Sequence, residues 1–122
     1  MSKKILVVDD EIELIEAMES ALKAEKYEVI TALDGTEGLK RAQNEKPDLI
    51  VLDIQMPVMS GDEMAQSLKD NKETKDIPII FLSQLRTKEE EKKEGPEVGG
   101  RIVLAKPFET KTLITSIKKV AG

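Results

Sequence analysis

Four short runs of apolar residues without polar interruption lie along the chain. They span residues 5–8, 49–52, 79–82 and 102–104. A strand that is apolar at every position is covered on both faces of its sheet, which is typical of parallel strands flanked by helices. A fifth, weaker strand is predicted over residues 27–32, and its mixed polarity favours an edge of the sheet.

Between these runs the apolar residues recur every three or four positions, which is the period of a helix with one buried face. Helices are predicted over about residues 11–25 and 36–44, after Gly61, and near the C-terminus. The stripes of three of them are Ile12, Ile15, Met18 and Leu22; Met64, Ala65 and Leu68; and Leu113, Ile114, Ile117 and Val120. Right-handed crossovers between such strands and helices predict a three-layer α/β sandwich around a five-stranded parallel sheet.

One segment does not follow this pattern. Residues 86–97 (RTKEEEKKEGPE) contain no hydrophobic side chain, although a helix is needed there to connect the last two strands. Gly95 and Pro96 end any helix at or before residue 95. We therefore predict a fourth helix that is short or irregular, solvated and loosely attached. No linker or internal repeat divides the chain, so residues 1–122 are interpreted as one domain.

Composition narrows the functions open to such a domain. Nineteen Lys and Arg against 24 Asp and Glu give a net charge of −5, which disfavours nucleic acid and anionic membranes as direct partners. The chain has no Cys and no His, which excludes thiol nucleophiles, imidazole bases and metal sites built from those ligands. No targeting signal and no apolar stretch near the roughly 18 residues of a membrane span is visible, so the cytoplasm is the expected compartment.

Polar residues of suitable chemistry follow the strands at their carboxyl ends, which is where open parallel sheets bind ligands. Asp9 and Asp10 follow the first strand, Asp53 the third, Ser83 the fourth and Lys106 the last. If the first and third strands are neighbours, the three carboxylates converge. Like charges about 4 Å apart repel by roughly 1–4 kcal/mol, and a shared proton or a bound cation relieves that repulsion. Hard oxygen ligands suit Mg²⁺, and the lysine and hydroxyl suit phosphoryl oxygens, so the pattern predicts phosphoryl transfer onto a carboxylate.

Each of these residues also has a structural interpretation when it is taken alone. Asp10 with Glu13 three residues later fits a capping box for the first helix, and Asp9 fits the entry of a loop. Ser83 fits a strand-end hydroxyl bonded to backbone, and Lys106 fits a surface lysine. The functional interpretation depends on these side chains ending strands at one edge of one sheet.

Three blocks of the sequence resemble the response-regulator receiver domain, including its chemotaxis-type members. Residues 5–11 (ILVVDDE) are similar to the first strand and acidic pair of that family. Residues 53–61 (DIQMPVMSG) resemble its phosphoacceptor loop, and residues 106–108 (KPF) resemble the turn after its last strand. The resemblance covers about residues 3–120 and implies a flavodoxin-like fold with strand order 2-1-3-4-5.

The resemblance also implies a role for each site residue. Asp53 is the phosphoacceptor in this interpretation, Ser83 is the switch hydroxyl, and Lys106 pairs with the phosphoryl group and precedes Pro107 through a cis peptide bond. The Mg²⁺ ligands are Asp10, Asp53 and the backbone carbonyl of Gln55, whereas Asp9 acts mainly through water.

The implied function is a phosphorylation-dependent switch in a two-component phosphorelay. A sensor histidine kinase or a phosphotransfer protein supplies the phosphoryl group, and a change of conformation alters binding to a downstream protein that the sequence does not name. The domain is not expected to be an enzyme, although it assists its own phosphorylation and dephosphorylation. No direct contact with nucleic acid or membrane is implied.

Three features depart from the family pattern. Val103 stands where receivers usually have an aromatic residue that moves with the switch hydroxyl, and Gln84 follows Ser83 where a small residue is usual. The charged segment 86–97 replaces the usual fourth helix. These departures favour a second hypothesis, a degenerate receiver that binds its partners constitutively.

A third hypothesis is an enzyme, either a phosphatase with an aspartyl nucleophile or a flavin carrier. Phosphatases of the haloacid-dehalogenase type place a second aspartate two residues after the nucleophile, where this chain has Gln55. No glycine-rich phosphate loop is present, and aromatics make up 2% of the chain, which disfavours a flavin site.

Overall fold

The computed structural model describes residues 2–95, 97–98 and 101–121. Its elements alternate along most of the chain, as the hydrophobic pattern predicted. The strands are β1 (Lys4–Val8), β2 (Glu28–Ala32), β3 (Leu49–Asp53), β4 (Ile79–Ser83), β5 (Glu97–Val98) and β6 (Arg101–Ala105). The helices are α1 (Ile12–Ala24), α2 (Gly35–Glu45), α3 (Gly61–Lys69), α4 (Lys88–Glu94) and α5 (Thr110–Ala121).

The strands form one sheet in the order β2-β1-β3-β4-β6-β5. The five longer strands are parallel, so the predicted parallel sheet and its order 2-1-3-4-5 are confirmed. The strand β5 was not predicted. It runs antiparallel to β6, with Glu97 opposite Ile102, and two residues are too few to show a period of two in the sequence.

The register aligns the carboxyl ends of the strands. Val8 lies level with Ala32 in β2 and with Leu52 in β3, and Ser83 lies level with Ala105 in β6. The residues that leave these strands therefore emerge at one edge of the sheet.

Two apolar layers cover the sheet. On one face the strands pack against α1 and α5, and on the other against α2 and α3. The predicted stripes supply the helical part of both layers, through Ile15, Met18, Leu22, Leu113 and Ile117 on one face and Met64, Ala65 and Leu68 on the other. Ile12 is the exception, because it is the first residue of α1 and its side chain is 56% exposed.

The alternative interpretation of Asp10 and Glu13 as a capping box does not hold. Glu11 is the N-cap residue of α1, and no side chain caps this helix. Instead, an oxygen of Asp9 accepts a hydrogen bond from the backbone N–H of Glu11 at 2.9 Å, so the turn between β1 and α1 is held by Asp9 and the helix begins later. Asp10 remains exposed beside this turn.

The fourth helix is short, as predicted, with seven residues and a capping box between Thr87 and Glu90. Arg86 precedes the helix and is 8% exposed, so the charged segment that contains the helix also holds a buried side chain. The helix adds no side chain to either apolar layer among the described residues. Within the same residues, no helix has both the length and the apolar content for a membrane span.

Candidate functional site

Three carboxylates meet at the carboxyl edge of the central strands. Asp53 is the last residue of β3 and Asp9 directly follows β1, and both side chains are fully buried. Asp10 is exposed, yet it offers an oxygen within 4.8 Å of oxygens of the other two. Because β1 and β3 are adjacent parallel strands, the convergence predicted from the sequence is confirmed.

Lys106 reaches this cluster from the end of β6. Its ammonium nitrogen lies 3.1 Å from Asp9 Oδ2, 3.5 Å from Asp53 Oδ2 and 2.8 Å from Glu11 Oε1. The side chain is 6% exposed, so it is not a surface lysine. The Lys106–Pro107 peptide bond is cis, as the resemblance implied.

Glu11 is a further residue of the site, which was not among the residues predicted from the sequence. Its carboxylate makes the shortest of the three contacts with Lys106, although its side chain is 52% exposed. The signal was its place in the acidic run that directly follows the first strand. An ammonium group has three donors, and the three carboxylates around Lys106 match that number.

Burial dominates the electrostatics of the site. The pKa of Asp53 is raised to about 6, first by desolvation and then by the charge of Asp9, while Lys106 and the backbone N–H of Gln55 act in the opposite direction. Desolvation also raises the pKa of Asp9. Burial alone would lower the pKa of Lys106, but its hydrogen bonds to Glu11 and Asp9 raise it above the ordinary value. The pocket thus holds more negative charge than the single lysine balances.

Two residues of the predicted set make contacts of their own at the same edge. Ser83, the buried last residue of β4, accepts a hydrogen bond at its Oγ from the backbone N–H of Leu85 at 3.1 Å. The backbone N–H of Gln55 donates to Asp53 Oδ1 at 3.3 Å, and the Gln55 side-chain oxygen accepts from the N–H of Gln84 at 3.0 Å. This second contact of Gln55, which joins the loops after β3 and β4, has no signature in the sequence.

Gly61 shapes the backbone around Asp53. A Cβ at this position would collide with the carbonyl oxygen of Asp53 and come within 2.8 Å of the Cα of Ile54. The backbone N–H of Gly61 donates to the carbonyl of Ile54 at 2.9 Å. Glycine therefore lets the start of α3 pack directly on the end of β3, which sets the direction in which Asp53 leaves its strand.

The donor set fits a hard divalent cation. The three carboxylates supply only oxygen, and the chain contains no His or Cys with which to build a softer site. Burial gives the cluster uncompensated negative charge, which a cation would neutralise. The residues present therefore fit Mg²⁺.

Exposed apolar side chains surround this edge. Among the described residues, the large hydrophobic side chains that remain exposed are Ile12, Leu33, Val58 and Leu85. Each lies in the segment that follows one of the four strands β1 to β4. The apolar exposure is thus concentrated at the edge that carries the carboxylates.

Comparison with known proteins places the chain in a family. The family model of the response regulator receiver domain matches residues 5–118, so the chain belongs to the response regulator receiver family. It is similar to the alkaline phosphatase synthesis transcriptional regulatory protein PhoP of Bacillus subtilis, with 40% identity over 98% of this chain and 49% of the relative. It is also similar to the response regulator PleD of Caulobacter vibrioides, with 37% identity over 98% of this chain and 26% of the relative. The chain therefore spans about half or less of the length of these relatives.

Solved structures agree with this assignment. The chemotaxis response regulator CheY4 of Vibrio cholerae has a TM-score of 0.84 and 38% identity, over 98% of this chain and 99% of that chain. A response regulator from Desulfuromonas acetoxidans has a TM-score of 0.80 and 34% identity, over 97% and 95% of the two chains. The chain is a receiver domain of the two-component response-regulator class, a class of phosphorylation-dependent signalling switches. Domains of this class generally use Mg²⁺ and interact with histidine kinases and downstream effectors.

Proposed function

We propose that Asp53 is the phosphoacceptor of this receiver domain. The observation that carries the proposal is a fully buried carboxylate at the end of a central strand, facing Lys106 at 3.5 Å and two further carboxylates. An oxygen of Asp53 attacks the phosphorus of a phosphohistidine, or of a small acyl phosphate. The new bond is O–P, and the leaving imidazole nitrogen or acyl oxygen keeps the electron pair of the bond that breaks.

Asp10, Asp53 and the backbone carbonyl of Gln55 would hold Mg²⁺, with Asp9 acting mainly through water. The oxygen-only donor set and the excess negative charge support this assignment. Mg²⁺ bound there would stabilise the negative charge on the oxygens of the transferring phosphoryl group.

Lys106 supplies the other positive charge. Its ammonium group is held among Asp9, Glu11 and Asp53 before the reaction. When Asp53 carries the phosphoryl group, the lysine pairs with a phosphoryl oxygen, because the phosphoryl oxygens carry roughly −1.5 to −2 charges in place of the single charge of the carboxylate. Positioning and charge stabilisation then supply most of the acceleration, as is usual in phosphoryl transfer.

Ser83 carries the response in this proposal. Its hydroxyl turns from the N–H of Leu85 towards the phosphoryl group, and the loop after β4 moves with it. The domain assists its own phosphorylation and dephosphorylation and turns over no other substrate. Residues 1–122 act as one domain, and the cytoplasm remains the predicted compartment.

The proposed partners are a sensor histidine kinase or phosphotransfer protein and a downstream protein. The apolar side chains around the site, among them Ile12 and Leu85, support docking of a protein partner at that edge. The net charge of −5 argues against direct binding of nucleic acid or anionic membrane by this domain.

Incubation with Mg²⁺ and acetyl phosphate tests the proposal. The intact mass of the wild-type protein is expected to rise by one phosphoryl group. Asp53→Ala should show no increase, and Asp10→Ala should lose most of it because a metal ligand is missing. Asp76→Ala removes an exposed carboxylate distant in sequence from the site and serves as the control. An unmodified wild type would favour the constitutive binding module, and an adduct that persists in Asp53→Ala would move the acceptor elsewhere.

A further inference from the structure

The outer edge of β6 is completed by side chains. Its inner edge pairs with β4, whereas the two described residues of β5 pair with Arg101 and Ile102 at the start of β6. The carbonyl of Val103 and the N–H of Ala105 accordingly need other partners. Arg86 donates from Nη1 to the Val103 carbonyl at 2.6 Å, and Glu91 accepts from the Ala105 N–H at 2.7 Å.

These two side chains also hold α4. Glu91 lies in the helix itself, and Arg86 donates from its second terminal nitrogen to the carbonyl of Gly95, the C-cap residue of α4. None of the side chains of α4 that the structure describes belongs to the apolar layers, so polar contacts take the place of hydrophobic packing. Arg86 therefore joins the segment before α4, the segment after it and the edge of β6.

Arg86 is a buried cation held by carbonyl groups. It is 8% exposed, and among the side chains that the structure describes no carboxylate lies within ion-pair distance of it. A buried guanidinium that loses its acceptors is strongly unfavourable, so its position is tied closely to both carbonyls. A small shift of the loop that carries Arg86 will therefore disturb its contacts with β6 and with the end of α4.

That loop begins at the phosphoacceptor site. Ser83 binds the N–H of Leu85, Gln84 binds the side chain of Gln55, and Arg86 is the next residue. Rotation of the Ser83 hydroxyl towards a phosphoryl group would release the N–H of Leu85, one residue before Arg86. The contact of Arg86 with β6 is made at Val103, the position at which receivers usually have an aromatic switch residue.

We propose that Arg86 is the positioning residue that couples the phosphoacceptor site to α4 and the edge of β6, in place of an aromatic residue at position 103. The inference rests on the proposed function of Asp53 and Ser83. Phosphorylation withdraws Arg86 from the carbonyls of Val103 and Gly95, and α4 is then released from β6. The surface that a downstream partner meets changes through a polar contact.

Amide hydrogen exchange with and without acetyl phosphate and Mg²⁺ tests the coupling. In the wild type, phosphorylation is expected to raise exchange in α4 and at Ala105 by about fivefold or more, the lower range of ordinary coupling between sites. In Arg86→Ala these amides should exchange quickly already without phosphate and should not respond to it, while the intact mass still shows the phosphoryl adduct. Arg41→Ala, which removes an exposed arginine of α2, should behave as wild type.

The outcomes separate this inference from the proposed function. A wild type without a phosphoryl adduct overturns both. An adduct on both proteins together with a wild-type exchange response in Arg86→Ala overturns only the role of Arg86. If Arg86→Ala does not fold, Arg86→Lys is measured in its place. The lysine keeps the charge but lacks the two-pronged donor, so a reduced response is expected, and a full response contradicts the inference.

Discussion

The helices α3 and α4 begin in the same way and are held in different ways. Each follows a strand that ends at the carboxylate site, and each starts with a capping box, Ser60 with Glu63 and Thr87 with Glu90. Yet α3 buries Met64, Ala65 and Leu68 against the sheet, whereas α4 is held by Arg86 and Glu91.

The difference shows that a cap starts a helix and packing fixes it. Capping contributes about 1 kcal/mol, while one buried leucine contributes several times more. Apolar contacts are numerous and do not depend on direction, so they hold α3 in a fixed position beside Asp53. Hydrogen bonds from two side chains are directional and few, so a small movement releases α4. A receiver domain needs both properties, a fixed site and a surface that changes.

The largest expected effect comes from the apolar packing of α3. Leu68→Ala should lower the free energy of unfolding by about 2–5 kcal/mol, because Leu68 is 1% exposed and its loss leaves a cavity. Urea denaturation followed by circular dichroism measures the change. Lys92→Ala, on the exposed face of α4, should change the free energy by less than about 0.5 kcal/mol. Equal effects at the two positions would contradict the contrast between the helices.

Next to α3, the end of β3 buries the carboxylate of Asp53. Asp53→Asn removes its negative charge. The pKa of Asp53 rises from 3.8 to about 6 on folding, so the folded protein binds this proton more tightly than the unfolded chain does. The protonated acid therefore favours the folded state below about pH 4, and this advantage is lost as the pH rises through about 6. Without metal at pH 7.5, Asp53→Asn should be more stable than wild type by about 2–3 kcal/mol.

Urea titrations in EDTA between pH 4 and pH 7.5 measure this difference. It should shrink towards pH 4, where Asp53 is mostly protonated in the folded state. Asp76→Asn is the matched control and should show no comparable gain. A difference that stays constant with pH would mean that burial does not raise the pKa of Asp53.

Gly61→Ala examines the close approach of α3 to the acceptor strand. The added Cβ meets the backbone of Asp53 and Ile54, which has little freedom to move. The expected loss of stability is about 1–3 kcal/mol, with slower phosphorylation of Asp53 because its strand end is displaced. Thermal unfolding and the rate of adduct formation are the measurements. Ser67→Ala, on the exposed face of α3, provides the comparison, and unchanged kinetics in Gly61→Ala would contradict the structural role of the glycine.

The smallest changes in stability are expected from removing the N-cap side chains of α3 and α4. Ser60→Ala should lower the global free energy of unfolding by about 1 kcal/mol, because α3 is part of the cooperative core. Thr87→Ala should lower it by less than about 0.5 kcal/mol while amide exchange in α4 rises, because α4 opens locally. A global loss from Thr87→Ala as large as that from Ser60→Ala would show that α4 unfolds only with the whole domain.

The hydrophobic pattern was enough to locate the five longer strands, the main helices and the edge at which the acidic residues meet. The burial of a run such as residues 49–52 can be predicted from its own residues, because a strand covered on both faces must be apolar at every position. Asp9 and Asp53 were found because each directly follows such a run, and Lys106 because it follows the last run after one alanine. The resemblance then gave the order of the strands, which local periodicity does not contain.

The identity of the polar groups that meet followed from the fold and not from any local pattern. Glu11 contacts Lys106 across 95 residues, and Arg86, in the loop after β4, contacts Val103 in β6. A hydrophobic pattern reports how buried a residue is, but a hydrogen bond depends on the register of strands and on side-chain direction, which no local period encodes. For the same reason β5, with two residues, and the buried charge in the charged segment 86–97 became visible only in the fold.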